Sequence, residues 1–416
     1  MHATSPTLMG KVGDTWLTAK RVRAHALIFA LCLWSLFVWN LATPGLRDRS
    51  GNLKGTDFLH FYTLAIVASE HRGGELYDMN AQAKLAAGHV PQAAGIRYLP
   101  LYPPQVSVFF APLAHLSYGW ALAIWWILTA TLYAWCCYVV WRACPQLREY
   151  GSTVTLAAIG FPAFFHLIAW GQSSALALVC FAGTFLLLRK EREFPAGLVL
   201  GCLIFKPQLG IAAALVFIAI GAWKILSGAV ISAAAELLIG VSYYGAGPLR
   251  DWICRLQNVR SALPWLEPRP YQTHSLRTFW AMLLPWGGLA LGLYLASAAL
   301  VLGITILLWK REPVPLSLRF SALLLATVLV APHLTVYDLV ILAPALLLGA
   351  DWAVAHPKSG NRLGTVLYLI YVLPLLGPLT RWTHVQISVL AMAVAVYMLW
   401  RAGMKPMNTA ASAQAD

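Results

Sequence analysis

Residues 25–43 read HALIFALCLWSLFVWNLAT, a run with no Asp, Glu, Lys or Arg. In a helix that rises 1.5 Å per residue, a run of this length crosses most of the ~30 Å hydrocarbon core of a bilayer. It follows Lys20, Arg21 and Arg23, is longer than the apolar core of a signal peptide, and lacks a convincing cleavage site. The stretch therefore predicts an uncleaved first transmembrane helix.

The rest of the chain repeats this pattern. Its 416 residues are 59% hydrophobic and 11% charged, with a mean hydropathy of +0.67, which is more apolar side chain than a soluble domain can bury. The net charge of +14 comes from short Lys and Arg clusters between apolar runs, a pattern typical of cytoplasmic loops. These features predict an all-α polytopic membrane protein surrounded by membrane lipids, and they argue against a nucleic-acid partner.

About twelve apolar runs are predicted to cross the bilayer. The predicted crossings are residues 25–43, 120–141, 153–170, 173–189, 195–206, 208–224, 226–244, 287–309, 317–331, 335–350, 364–379 and 383–401. This order places all the basic clusters on one side, which is then the cytoplasmic side. The clusters are Lys20–Arg23, Arg142–Arg148, Arg189–Arg192, Lys224, Lys310–Arg311, Lys358–Arg362 and Arg401–Lys405.

The same topology divides the chain into three parts. Residues 1–24 form a cytoplasmic segment, residues 25–401 form one transmembrane domain, and residues 402–416 form a disordered cytoplasmic tail. Two long external loops cover residues 44–119 and 245–286. Within them, the short proline-containing stretches 103–117 and 276–286 are predicted to be re-entrant or to lie on the membrane surface.

Four polar motifs collect on the predicted external face. They are Gly55-Thr56-Asp57-Phe58, Gly171-Gln172-Ser173-Ser174, Lys206-Pro207-Gln208, and the stretch from Pro332-His333 to Tyr337-Asp338. Ionisable groups and helix breakers at membrane depth are costly, and they usually line a cavity. The motifs therefore predict an external, half-submerged cavity.

Each candidate side chain also has an ordinary structural explanation. Asp57 is either a catalytic carboxylate or a solvated, helix-capping residue, and Gln172 either touches substrate or closes a helix turn. Lys206 either extends to the interface or supplies a cation to an anionic headgroup. His333 and Tyr337, four residues apart, are expected to share a helical face if a helix runs through them.

Two further sets of residues are weaker candidates. Glu236 lies in the middle of a predicted crossing, where it is functional, paired with Lys224, or protonated. The arginines of the second loop are candidates for binding a phosphate through paired hydrogen bonds, and the alternative is a solvated loop. They are Arg250, Arg255, Arg260, Arg269 and Arg277.

Taken in order, these motifs resemble glycosyltransferase family 87, a group within the integral-membrane GT-C superfamily. The likeness runs from about residue 50 to residue 350. The matching strings are Gly55-Thr56-Asp57-Phe58 with Tyr62, Gly74-Glu75-Leu76-Tyr77-Asp78, Tyr102-Pro103-Pro104 with Ala111-Pro112-Leu113, Gly171-Gln172, Ala196-Gly197 through Lys206-Pro207-Gln208, and Pro332-His333 with Tyr337-Asp338. The chain departs from the pattern at Ser174, where many members carry Asn.

The resemblance implies a GT-C-type fold of about twelve transmembrane helices and an inverting transfer of a sugar, typically mannose. The donor would be a polyprenyl-phosphate sugar, the acceptor a glycan or glycolipid hydroxyl, and the active site would lie on the external face of a bacterial-type inner membrane. The acidic residue of the first external loop, the family's base, matches Asp57. Lys206 and His333 are assigned to stabilise the leaving phosphate, and the other candidate substrate contacts are Gln172, Tyr62, Tyr102, Tyr337 and Asp338.

No cofactor or metal is assigned. The chain has no glycine-rich phosphate loop or dinucleotide fingerprint, and the one carboxylate pair considered as a shared metal site is Asp57 with Asp78. The main alternative is a membrane carrier or lipid or saccharide flippase, which predicts pseudo-symmetric halves and polar groups at the membrane midplane. A non-catalytic assembly subunit is a second alternative, and it predicts no need for Asp57.

Overall fold

A computed structural model describes residues 17–258, 267 and 269–404, and helix is the regular secondary structure of this part of the chain. The helices of the first half are α1 (Ala19–Leu41), α2 (Phe58–Ser69), α3 (Met79–His89), α4 (Gln105–Phe110), α5 (Tyr118–Arg142), α6 (Gly151–Ile159), α7 (Pro162–Trp170), α8 (Ser174–Arg189), α9 (Glu193–Gly201) and α10 (Pro207–Ala219). Those of the second half are α11 (Trp223–Tyr244), α12 (Ala246–Gln257), α13 (Leu276–Leu283), α14 (Gly287–Lys310), α15 (Leu316–Val330), α16 (Ala343–Ala355), α17 (Pro357–Val372), α18 (Gly377–Thr383) and α19 (Ile387–Met404). The chain is thus an all-helical, multi-pass membrane protein.

Seven of these helical segments are long and apolar enough to cross a bilayer. They are Ala19–Leu41, Tyr118–Arg142, Trp223–Tyr244, Gly287–Lys310, Val336–Ala355, Gly360–Thr383 and Ile387–Met404, and the pair Pro145–Ile159 and Pro162–Trp170, bent by 44°, gives an eighth if it forms one span. The four remaining predicted crossings coincide with shorter apolar helices at residues 174–189, 193–205, 207–219 and 316–330. The prediction of apolar helices is confirmed at every position, and the number twelve stays a prediction.

Two hydrophobic cores organise the helices. The larger core is centred on α15, whose residues from Phe320 to Val330 are all buried. It packs against α10, α14, α16 and α19. The smaller core surrounds α2 and includes aromatic contacts such as the stacked pair Phe61 and Phe110, with ring centroids 4.8 Å apart. The two cores meet where α7 ends beside the start of α2.

The first predicted external loop, residues 44–119, contains more ordered and more buried structure than the sequence indicated. Residues Phe58 to Ala68 of α2 are all buried, because nearly all of them are apolar and α3, α4 and α5 enclose them. At twelve residues, α2 is about 18 Å long, too short to cross a bilayer by itself. It is therefore an internal helix of the fold and not a surface-lying one.

Several predicted boundaries shift. Helix α1 begins at Ala19, six residues before the predicted start of the first crossing, and α19 continues through Met404, past the predicted boundary at residue 401. The short stretches 103–117 and 276–286 contain α4 and α13, of six and eight residues. The predicted disordered tail from residue 405 onward, most of the N-terminal segment and Arg260 lie outside the described residues.

Candidate active site

The backbone of Asp57 is fixed against the turn between α7 and α8. Its N–H donates to the carbonyl of Trp170 at 3.0 Å. Gly171 follows with a φ of +70°, and a Cβ there would lie 2.7 Å from the Cβ of Phe58, so only glycine permits this approach without strain. The Gly-Gln motif and the Gly-Thr-Asp motif, 115 positions apart in sequence, are thereby brought into contact.

The side chain of Asp57 has one hydrogen-bond partner among the described residues. Gln172 donates from Nε2 to Asp57 Oδ2 at 2.7 Å, and no described residue donates to Oδ1. Although Asp57 occupies the residue before α2, its carboxylate makes no capping hydrogen bond. The capping interpretation of Asp57 is therefore wrong, and Gln172 contacts the candidate base directly.

The surroundings of Asp57 change its acidity. Burial, which removes water from the carboxylate, raises its pKa to about 6, while the Gln172 hydrogen bond and the positive charges of Lys206 and Arg269 oppose that rise. The negative charge of Asp338 adds to it. A carboxylate with a pKa near 6 is ionised at neutral pH and is a stronger base than an ordinary aspartate.

Lys206 lies beside this carboxylate but is held by other groups. Its Nζ donates to Asp338 Oδ1 at 2.8 Å and to Ser174 Oγ at 2.9 Å, and it sits 5.2 Å from the centre of the Tyr337 ring. Only 4% of the residue is exposed. Lys206 therefore does not extend to the interface, because the Asp338 carboxylate compensates its charge inside the protein.

Asp338 accepts hydrogen bonds at both oxygens. Besides Lys206, Ser174 Oγ donates to Oδ1 at 2.6 Å, and the Thr335 N–H donates to Oδ2 at 3.2 Å in a capping box. Ser174, where the chain departs from the family pattern, is thus a member of the network. The site places Asp338 beside Lys206, where its carboxylate is occupied by protein donors.

The predicted aromatic contacts separate into two groups. The pKa of Tyr102 is raised by burial and is also affected by the charges of Lys206 and Asp57, so its phenol lies in the same cluster. Tyr337 packs edge-on against Trp170, with ring centroids 5.5 Å apart. Tyr62 instead donates from its hydroxyl to the Leu116 carbonyl at 2.7 Å, and none of its contacts in the described part of the chain reaches the Asp57 carboxylate.

His333 belongs to a neighbouring ionic group. Its Nδ1 lies 2.9 Å from Glu267 Oε1, and Glu267 also forms an ion pair with Arg277. Burial alone raises the pKa of Glu267, but the His333 hydrogen bond and the Arg277 charge outweigh that effect and hold the pKa below its ordinary value. The predicted shared helical face of His333 and Tyr337 is wrong, because the helical segment begins only at Val336.

The second loop is attached to the segment that carries His333. His274 N–H donates to the Leu334 carbonyl at 3.2 Å, and Thr273 forms an isolated bridge with Thr335. The exposed Arg269 lies close enough for its charge to lower the pKa of Asp57. Of the predicted arginines, Arg269 therefore lies near the site, whereas Arg255 donates to the Tyr77 carbonyl at 2.7 Å.

Two other residues singled out in the sequence have structural partners elsewhere. Asp78 caps α3 by accepting from the N–H groups of Asn80 and Ala81 at 2.8 and 3.0 Å. Lys224 lies 3.9 Å from Glu193, so the predicted pairing of Glu236 with Lys224 is wrong. Sequence reasoning missed Glu267 entirely, since a single acid in a polar loop gives no periodic or motif signal.

Comparison with known proteins gives one match. The model of glycosyltransferase family 87 matches residues 101–332, which include Tyr102, Gln172 and Lys206 and begin after Asp57. No curated protein and no solved structure matches the chain. Because the family model covers more than half of the 416 residues, the chain belongs to glycosyltransferase family 87.

Proposed function

We propose that this membrane glycosyltransferase moves a sugar, mannose, from a polyprenyl-phosphate donor to an acceptor hydroxyl with inversion, and that Asp57 is the general base. The observation that carries the proposal is the state of the Asp57 carboxylate. One oxygen is held by Gln172, the other has no donor among the described residues, and burial raises the pKa to about 6. That combination suits a group that accepts a proton at neutral pH.

The proposed reaction is a single displacement at the anomeric carbon. The acceptor hydroxyl gives its proton to Asp57 Oδ1 as its oxygen forms the new bond to the anomeric carbon. The bond from that carbon to the donor phosphate oxygen breaks, and the polyprenyl phosphate leaves with the electron pair. Attack from the face opposite the departing phosphate inverts the configuration, so one carboxylate is enough and no glycosyl-enzyme intermediate forms.

The leaving phosphate is already anionic, so the site must supply cations and donors as its charge grows. We assign direct contact to His333, anchored by Glu267, and to Arg269, whose exposed side chain is not paired with a described carboxylate. Lys206 contributes its positive charge to the site while it remains paired with Asp338. Gln172 orients the base, and Tyr102 and Tyr337 supply aromatic and hydroxyl contacts to the sugar.

The proposed location follows from the same topology. The basic clusters assign one side of the helical bundle to the cytoplasm, and the Asp57 cluster lies at the other helix ends. The protein would then act on the external face of a cell inner membrane, with its apolar helices holding the polyprenyl tail of the donor.

The test is transfer of radiolabelled mannose from synthetic polyprenyl-phosphate mannose to a membrane glycolipid extract. Purified wild type, Asp57→Asn and Asp78→Asn are compared. Asp78 is the matched control, because it is a solvated carboxylate of the same loop and Asn caps a helix as well as Asp does. Label incorporated by wild type and Asp78→Asn, but not by Asp57→Asn, is the expected result.

Equal incorporation by all three proteins would remove Asp57 from the chemistry. Donor movement across vesicle membranes without label in the acceptor would instead favour a carrier. The anomeric configuration of the product, read by NMR coupling constants, tests inversion separately.

A further inference from the structure

An apolar cavity runs along the helical bundle to the end opposite Asp57. Its volume is about 200 Å³, and it is bounded by α1, α5, α6, α16 and α17. Leu17 and Val22 line it at the start of α1, and Leu147 and Tyr150 line it just before α6. Asp57 and Gln172, by contrast, follow the far ends of α1 and α7. The lining of the cavity therefore reaches the predicted cytoplasmic ends of these helices.

The lining of the cavity is long and apolar, as the binding of a hydrocarbon segment requires. Along α16 its wall extends from Ala343 to Val354, a length of about 16 Å at the rise of an α-helix. Small residues such as Ala157, Ala350 and Gly364 recess the wall, and nearly all of its surface is carbon. Well-packed interiors contain few voids larger than a water molecule, and dry apolar cavities of this size bind apolar ligands.

Exposed basic residues flank the lining at the predicted cytoplasmic end. Exposed basic residues stand next to lining residues on three different segments, namely Lys20, Arg21 and Arg23 on α1, Arg148 before α6, and Arg362 on α17. Among the described residues, the neighbouring acids are Glu149, which is exposed, and Asp351, which is half-buried and accepts hydrogen bonds from the Gln146 and Leu147 N–H groups at 2.7 and 3.2 Å. Basic clusters beside a bilayer attract anionic lipid headgroups.

We propose that this cavity binds an acyl chain of an anionic phospholipid from the predicted cytoplasmic leaflet. The headgroup phosphate is held by the rim arginines, which are Arg23, Arg148 and Arg362. The polyprenyl-phosphate donor is a less suitable occupant, because its sugar must reach Asp57 at the other end of the bundle. The lipid contacts α1, α6 and α17 at once, so its binding stabilises their packing. This site does not depend on the proposed glycosyl transfer.

The first test uses the wild-type protein alone. Phosphatidylglycerol with a diazirine in one acyl chain is irradiated with the protein in dodecyl maltoside micelles, and the labelled peptides are identified by mass spectrometry. Adducts on α6, α16 and α17 residues of the cavity, competed by unlabelled phosphatidylglycerol and much less by phosphatidylcholine with the same chains, support the proposal. Adducts confined to outward-facing helix surfaces, or competition by polyprenyl phosphate alone, would overturn it.

The second test fills the cavity or removes its rim charge. Ala157→Leu with Ala350→Leu is expected to abolish both the cavity adducts and the rise in Tm that phosphatidylglycerol gives wild type, because ligands that bind only the folded state raise Tm. Arg23→Gln, Arg148→Gln and Arg362→Gln together are expected to remove the preference over phosphatidylcholine. The matched controls are Ala299→Leu, on an exposed face of α14, and the exposed Lys224→Gln.

Two results would contradict the site. Unchanged adducts and an unchanged Tm response in the filled variant would place the lipid elsewhere. A lipid response that appears only after residues 1–16 are deleted would mean that the chain's own N-terminal residues occupy the cavity.

Discussion

Asp57 and Asp338 are two carboxylates beside the same lysine, and the protein treats them differently. Asp338 accepts from Lys206, Ser174 and Thr335, so both of its oxygens are occupied. Asp57 accepts from Gln172 alone and has one oxygen without a donor among the described residues. A buried carboxylate satisfied by protein donors maintains the structure, whereas an under-satisfied one with a raised pKa is available for chemistry.

The largest expected effect is on transfer by Asp57→Asn. Loss of a general base typically slows a reaction by about 10²–10⁴-fold, and we expect that loss in kcat. Folding raises the pKa of Asp57 from its ordinary value of 3.8 to about 6, so the ionised carboxylate reduces the stability of the folded protein. This loss of stability is absent below the ordinary pKa and complete above pH 6. Asp57→Asn should therefore keep or raise the Tm at pH 8. A parallel loss of activity and of Tm would assign Asp57 a structural role.

Asp338→Asn should show the opposite behaviour. Removing one partner of a buried ion pair leaves Lys206 uncompensated, which typically costs about 3–5 kcal/mol, so we expect low yield and a strongly reduced Tm. Replacing both partners, by Lys206→Met with Asp338→Leu, should recover most of the Tm without restoring full transfer. Thermal unfolding in detergent checks both variants, and a fully stable Asp338→Asn would remove the distinction between the two carboxylates.

An intermediate effect is expected for Gln172→Leu. A hydrogen bond to a charged group contributes about 1.5–3 kcal/mol, so we expect kcat to fall by about 10- to 100-fold. The same bond lowers the pKa of Asp57, so its loss should move the acid limb of the pH–rate profile to higher pH. Gln208→Leu, a polar residue of the neighbouring Lys-Pro-Gln motif, is the control. An unshifted profile would mean that Gln172 does not act through Asp57.

Arg269→Gln should produce the smallest change in the pKa of Asp57. Its positive charge lowers the pKa of Asp57 less than Lys206 does, so the acid limb should shift upward only slightly. If Arg269 also contacts the donor phosphate, the KM for the donor should rise more than kcat falls. Arg250→Gln, an exposed arginine on α12, is the matched control, and equal kinetics for both variants would remove Arg269 from the site.

The apolar helices and the four polar motifs could be predicted because each leaves a local signal in the sequence. A run such as residues 25–43 predicts a transmembrane helix, and Gly171-Gln172 predicts a tight turn. The roles of the individual residues within the Asp57 cluster were harder to predict from the sequence. Whether Lys206 extends outward or pairs with Asp338, 132 residues away, depends on tertiary contacts that no local pattern encodes.

The same limit explains the two larger misses. The burial of α2 within the predicted external loop 44–119 was not predicted, because it depends on the helices that surround α2 in the folded protein. Glu267 was missed because its significance comes from His333 and Arg277, which join it only in the folded protein.

The most direct test of the central claim is the pH dependence of single-turnover mannose transfer by wild type. With Asp57 as a base whose pKa is about 6, the rate should be constant above pH 7 and should fall about tenfold per pH unit well below pH 6. The residual activity of Asp57→Asn should lack that limb. A wild-type profile that stays flat from pH 8 to pH 4.5, or the same limb in Asp57→Asn, would contradict the account.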